Sequence, residues 1–238
     1  MANAEKISYA YDLGGGAVPV IREFDIATGT VIEQGEVVVM NLATGLVTAI
    51  GDVDQDDPYL GVAAEGHTGA ADTFNPRNNG LKLKVYCSPT AVFKCKPATV
   101  STCDSGTATN WVDGELVAGA GFADDSFSGG FLKITEKAVA STLTIPVNTI
   151  LRIKDFTVAA GTIIMETSAL VGAASAGDKA LLFPAPVSLG WDLNSDGTNL
   201  DLKAKGGESI RIVDVDPELE YVYFMLRLHQ LGNSTLSI

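Results

Sequence analysis

The run Asp192-x-Asn194-x-Asp196-Gly197 has the residue types and spacing that open an EF-hand type calcium loop. In such loops alternate side-chain oxygens converge on a hard cation and a glycine makes the sharp turn. Here the place of the bidentate glutamate is taken by Lys203, and Trp191, Leu193, Leu200 and Leu202 on the flanks alternate as strands do. The run therefore reads as a hairpin tip, Asn-Ser-Asp-Gly being turn chemistry. Asp192, Asn194 and Asp196 stand as the candidate metal ligands, and no metal or other cofactor is expected. Asp52, Asp54, Asp56 and Asp57 could also offer oxygens to a cation, but a solvated loop that keeps a sheet edge soluble explains them as well.

Nucleophilic chemistry has little to build on. The histidines are His67, in a glycine-flanked turn, and His229, at the end of an alternating run. Neither stands near a Ser or Cys in a strand-turn-helix setting, and no G-x-S-x-G elbow or phosphate-cradling glycine loop is present. Cys87, Cys95 and Cys103 have seven residues between successive thiols. That odd set cannot be a complete disulfide framework and has no zinc-knuckle spacing, so reduced thiols packed in β structure are expected. No catalytic residue is assigned, and a non-enzyme is expected. Of the tryptophans, Trp191 is in phase with Leu189 and Leu193 and should be core. Trp111 lies in a polar stretch and is the one expected to be exposed, as a sugar-stacking platform would require.

The elements that would position these residues are short and flat. Leu81, Leu83, Val85 and Cys87 alternate with Lys82, Lys84 and Tyr86, while Val222, Phe224, Leu226 and Leu228 alternate with Tyr223, Met225 and Arg227. Period two places one set of side chains on each face of a strand. Further strands are expected at 37–42 and 46–50 around the turn Ala43-Thr44-Gly45, and at 60–64, 92–96, 131–135, 143–145 and 150–158. Others follow at 162–165, 180–183, 187–193, 200–204, 210–215 and 220–231. Residues 97–130 read as exposed loop with one or two short strands near Leu116, and the one helical candidate is Ser168–Ala174.

Forty-six per cent apolar and 19% charged residues suffice for packed cores, and 25 glycines suit many turns. A net charge of −13 repels phosphate backbones and anionic lipid, so neither nucleic acid nor membrane is an expected partner. No apolar run reaches the roughly 18 residues of a membrane span, and the N-terminal stretch has no signal-peptide pattern, so synthesis in a cytoplasm is expected. The expected fold class is all-β, with two domains: a small β-barrel or β-tulip-like domain at 18–135, then a β-sandwich or jelly-roll-like domain at 142–238. The linker between them is Glu136–Ser141. Residues 1–17, containing Gly14-Gly15-Gly16, are expected to be an extended N-terminal arm that orders on a partner through Tyr9 and Tyr11.

Gly35-Glu36-Val37-Val38, Gly45-Leu46-Val47, Pro58-Tyr59-Leu60-Gly61-Val62-Ala63 and Ser88-Pro89-Thr90-Ala91-Val92-Phe93 follow one another in an order that resembles the small β domains of tailed-phage capsid decoration (cement) proteins and related head-fibre bases. Leu143-Thr144-Ile145-Pro146-Val147-Asn148 is similar to a strand start of the β domains appended to such proteins. The resemblance implies a structural virion protein on the outer capsid surface. It would be a homo-oligomer, a trimer by preference, bracing neighbouring major capsid subunits against packaged DNA. The alternative is a receptor- or glycan-binding β module of a phage tail or fibre.

Overall fold

The structure, a computed structural model, describes residues 6–15, 19–41, 43–50, 59–68, 81–96, 99–166, 172–193, 198–205 and 210–226. Its strands are β1 (Ser8–Asp12), β2 (Ile21–Asp25), β3 (Val37–Asn41), β4 (Leu46–Ala49), β5 (Tyr59–Ala63) and β6 (Lys82–Tyr86). Next come β7 (Ala91–Cys95), β8 (Val100–Thr102), β9 (Ser105–Gly106), β10 (Asn110–Val112), β11 (Phe131–Glu136) and β12 (Ile150–Thr157). The last are β13 (Thr162–Met165), β14 (Lys179–Phe183), β15 (Leu189–Leu193), β16 (Leu200–Lys205), β17 (Ile210–Asp216) and β18 (Tyr221–Leu226). Among the described residues there is no α-helix, and the 3-10 segments Ala118–Ala120 and Val158–Ala160 are three residues long, so the all-β expectation holds.

The strands form three antiparallel sheets. The five-stranded sheet has the order β2-β6-β5-β3-β4. Its β3–β4 hairpin is the one expected: Asn41 pairs with Leu46, and the Asn41 side chain accepts from the amides of Ala43 and Thr44 at 3.0 and 3.2 Å. Gly45 takes φ +71° to complete the turn. Alternation sends Leu83 and Val85 inward to meet Ile26, Ile32, Val38, Val47, Ala49, Leu60 and Ala63. A bridge from Ile26 to Val47 brings the two outer strands together, so the sheet curls around this core.

The seven-stranded sheet has the order β8-β14-β11-β12-β13-β10-β9. Leu132 on β11 pairs with Leu151 on one side and Leu182 on the other. The stretch expected as a linker thus begins at the end of β11 and leads to β12, its neighbour. The expected strand at 143–145 does not form, because its carbonyls are engaged elsewhere: Lys137 Nζ donates to those of Leu143 and Ile145 at 3.3 and 3.1 Å. In the polar stretch 97–130 the strands are β8 to β10, and Leu116 is buried outside any strand.

The six-stranded sheet has the order β1-β7-β18-β17-β15-β16. Ser8–Asp12, expected within the arm, is strand β1, paired with β7 from Ser8↔Lys94 to Asp12↔Ala91 with a bulge between Tyr9 and Tyr11. Ile7 is buried and its amide donates to the Thr198 carbonyl at 3.2 Å. Residues 1–5 and 16–17 of the expected arm lie outside the described residues, as does most of the expected helical stretch 168–174. By packing, the chain divides into two compact units, one built on Lys96–Asp192 and Asp201–Tyr223, the other on Glu5–Cys95, Leu193–Leu200 and Phe224 onward.

Gly61 is fixed by its surroundings. Its φ is +152°, and a Cβ there would lie 1.9 Å from the Tyr86 carbonyl oxygen. Gly61→Ala is therefore expected to cost at least about 2 kcal/mol in chemical denaturation. Gly119→Ala, where a Cβ meets nothing within 4 Å, should change stability by less than about 0.5 kcal/mol.

Candidate interaction surface

The structure separates the sequence-predicted residues. Tyr9 is half-buried in β1, stacked on Tyr86 with centroids 5.2 Å apart and planes 20° apart, and edge-on to Phe93 at 6.4 Å. It is a packing residue of its own chain. Partial burial, then the Asp12 carboxylate and Tyr86, push its phenol pKa up. Tyr11, beyond the bulge, is 40% exposed. Asp192 has its backbone in β15, whereas Asn194, Asp196, His229 and the acidic loop from Asp52 to Asp57 lie outside the described residues. Among the described residues no group of three His, Cys, Asp or Glu is arranged to hold a metal. His67, expected in a flexible turn, pairs with Ile32 through two backbone hydrogen bonds of 2.7 and 2.9 Å.

Trp111 is not an exposed platform. It is fully buried on β10, and its Nε1 donates to Ser101 Oγ at 2.9 Å. Ser101 in turn donates to the Asp113 carboxylate at 2.7 Å, which also accepts from the amides of Thr102 and Glu115. An indole can be buried in a polar segment once its N–H has a partner. Trp191 is core as expected, donating to Ser188 Oγ at 2.7 Å and packed on Phe127.

Four exposed apolar side chains lie at the end of β1 and the start of β2, within the second unit. Leu13 is 55% exposed, Val20 45% and Ile21 43%, beside Tyr11. Backbone bonds hold them near one another: the Leu13 amide donates to Thr90 O at 3.0 Å, Val20 O accepts from Cys87 N at 3.1 Å, and Ile21 pairs with Tyr86. Asp12 fastens the end of β1 by accepting from the Thr90 hydroxyl and from the Gly14 amide at 2.7 Å. Hydrogen bonds from Ser88, Thr90 and Gly14 hold its carboxyl below the ordinary value of 3.8. Beyond Ile21 the same face of β2 turns polar, with Asp25 on Lys82 at 3.0 Å. The exposed apolar residues thus border a charged stretch of β2. Sequence pattern missed Leu13, Val20 and Ile21, and the available signal was their position as bulky apolar residues on either side of a glycine run.

No protein-family model matches the chain, and no curated protein matches it.

The three thiols are free, with Cys95 and Cys103 buried and Cys87 half-buried. Burial pushes the Cys95 thiol to about 12 and that of Cys103 to about 11. Ellman titration of the native protein at pH 8 is expected to label Cys87 first, with the other two reacting only on unfolding. Asp12 predicts a pH dependence. Its folded-state pKa is lowered, so its contribution to stability is present above the unfolded value and is lost as pH falls through the folded one. The melting-temperature advantage of wild type over Asp12→Asn should be full near pH 6 and shrink below about pH 4.

Proposed function

We propose that this chain is a structural virion protein that decorates the outer surface of a tailed-phage capsid and braces adjoining major capsid subunits, acting as a homo-oligomer with a trimer favoured. The observation that carries the reading is the apolar band of Tyr11, Leu13, Val20 and Ile21 at a strand-edge surface of a chain with net charge −13. Uncovered apolar side chains on so acidic a protein suit a protein partner, and the charge favours a position away from DNA. The likeness of Gly35–Ala63 to decoration domains supports the same reading, since these residues supply β3, β4 and β5 of the curled sheet. Bracing works by several modest contacts made at once, so affinity belongs to the assembled lattice rather than to a single subunit.

The pairing of β1 with β7 decides how this is tested. Deleting residues 1–16 would strip β7 of one of its two neighbours and uncover Phe93, so loss of binding would not separate contact from folding. Leu13→Ser with Val20→Ser alters exposed side chains outside the strands and is expected to leave the melting temperature within a few degrees of wild type. Mixed with undecorated expanded heads, the wild-type protein should bind, and the double variant should bind at least about tenfold more weakly. Equal binding to heads and to free capsid subunits, or tight binding to a host glycan with none to heads, would refute the reading.

A further inference from the structure

A second surface lies within the first unit, on residues that the capsid reading does not use. Tyr221 and Tyr223 project from one side of β18 with ring centroids 6.4 Å apart and planes inclined at 58°. Both are half-buried. Lys96 Nζ stands over the Tyr221 ring, 5.6 Å from its centroid, within the range at which a ring face attracts a cation. Asp214 and Asp216 lie on β17, the strand next to β18 in the sheet; burial, and then these two carboxylates, raise the Tyr223 phenol pKa.

The turn between β17 and β18 is held rigid from below. Lys133, buried on β11, places Nζ 2.7 Å from Glu220 Oε1 and 3.2 Å from the Glu218 carbonyl. Asp216 Oδ1 accepts from the Leu219 amide at 3.0 Å, which fixes its orientation. Leu219 itself is 60% exposed at the rim.

We propose that Tyr221, Tyr223, Asp214 and Asp216 form a docking surface for an arginine or lysine side chain presented by a partner protein. Two ring faces and two carboxylates are the complement of a guanidinium or ammonium group, which gains from both the ring quadrupole and the ion pair. Lys96 already satisfies this chemistry from within the chain, on one ring. A neutral sugar would use the rings but gain no ion pairing from the carboxylates. The net charge of −13 adds long-range attraction for a basic partner.

The test uses the full chain and the peptide acetyl-Gly-Arg-Gly-Arg-Gly-amide, titrated calorimetrically and by the ring resonances of Tyr221 and Tyr223. Saturable binding is expected, weakened at least about fivefold between low salt and 0.5 M NaCl. The peptide with citrulline in place of arginine keeps the shape without the charge and should bind at least about tenfold more weakly. Tyr223→Leu and Asp216→Asn should each weaken binding several-fold. Lys96→Gln, which removes the cation over the Tyr221 ring, should strengthen it. If Tyr223→Leu lowers the melting temperature, Asp216→Asn and Lys96→Gln decide the matter. Equal affinity for the citrulline peptide, indifference to both of those variants, or tyrosine shifts produced by maltohexaose and not by the arginine peptide would overturn the proposal.

Discussion

The seven-stranded sheet depends on a carboxylate kept out of water. Asp113 is buried, and its side chain accepts from Ser101 Oγ and from the amides of Thr102 and Glu115. Its backbone amide donates to the Gly161 carbonyl, whose residue approaches so closely that a Cβ would stand 1.8 Å from Asp113 O. A buried charge with these donors is stable, and with one of them removed it would be costly. Through this one residue β8, the end of β10 and the turn before β13 are held in register. Asp178 does the same at 138–141, accepting from Ala138 N, Ser141 Oγ and Ser175 N at 2.8 to 2.9 Å. Segments with little apolar content of their own are ordered by these two acids.

That division of labour explains what was legible in the sequence. Where burial sets the conformation, the pattern showed it: Leu83 and Val85 alternate inward, Trp191 is core, and the turn at 43–45 closes a hairpin. Where hydrogen bonds set it, the pattern failed. The polar neighbours of Trp111 point to the surface in the sequence, yet those same neighbours supply the partners that allow its burial. Strands β8 to β10 hold two or three residues each, too few for a period to appear. The stretch 143–145 has strand composition, but Lys137 takes two of its carbonyls.

The candidate surface was only half legible, for a related reason. Tyr9 and Tyr11 stood out as aromatics near the N-terminus, but a sequence does not display that β1 finds its partner some eighty residues later in β7. With that pairing Tyr9 becomes a packing residue, and exposure passes to Tyr11 and to the apolar residues around the glycine run. The two proposed surfaces differ in character: one offers apolar area, the other aromatic rings ringed by carboxylates. One chain can therefore present a contact that tolerates salt and another that salt dissolves.

The pairing of β1 with β7 also governs the order in which the chain can fold. Residues 8–12 must wait for 91–95, Ile7 bonds to Thr198, and Phe93 packs against Phe224 on β18. Contacts of such sequence separation carry a large loop-closure entropy and are made slowly. On a ribosome that adds about 5–20 residues per second, the first strand emerges seconds before the last one exists. During that interval Tyr9, Tyr86 and Phe93 lack part of their final cover, so aggregation competes most strongly with folding while the protein is being made.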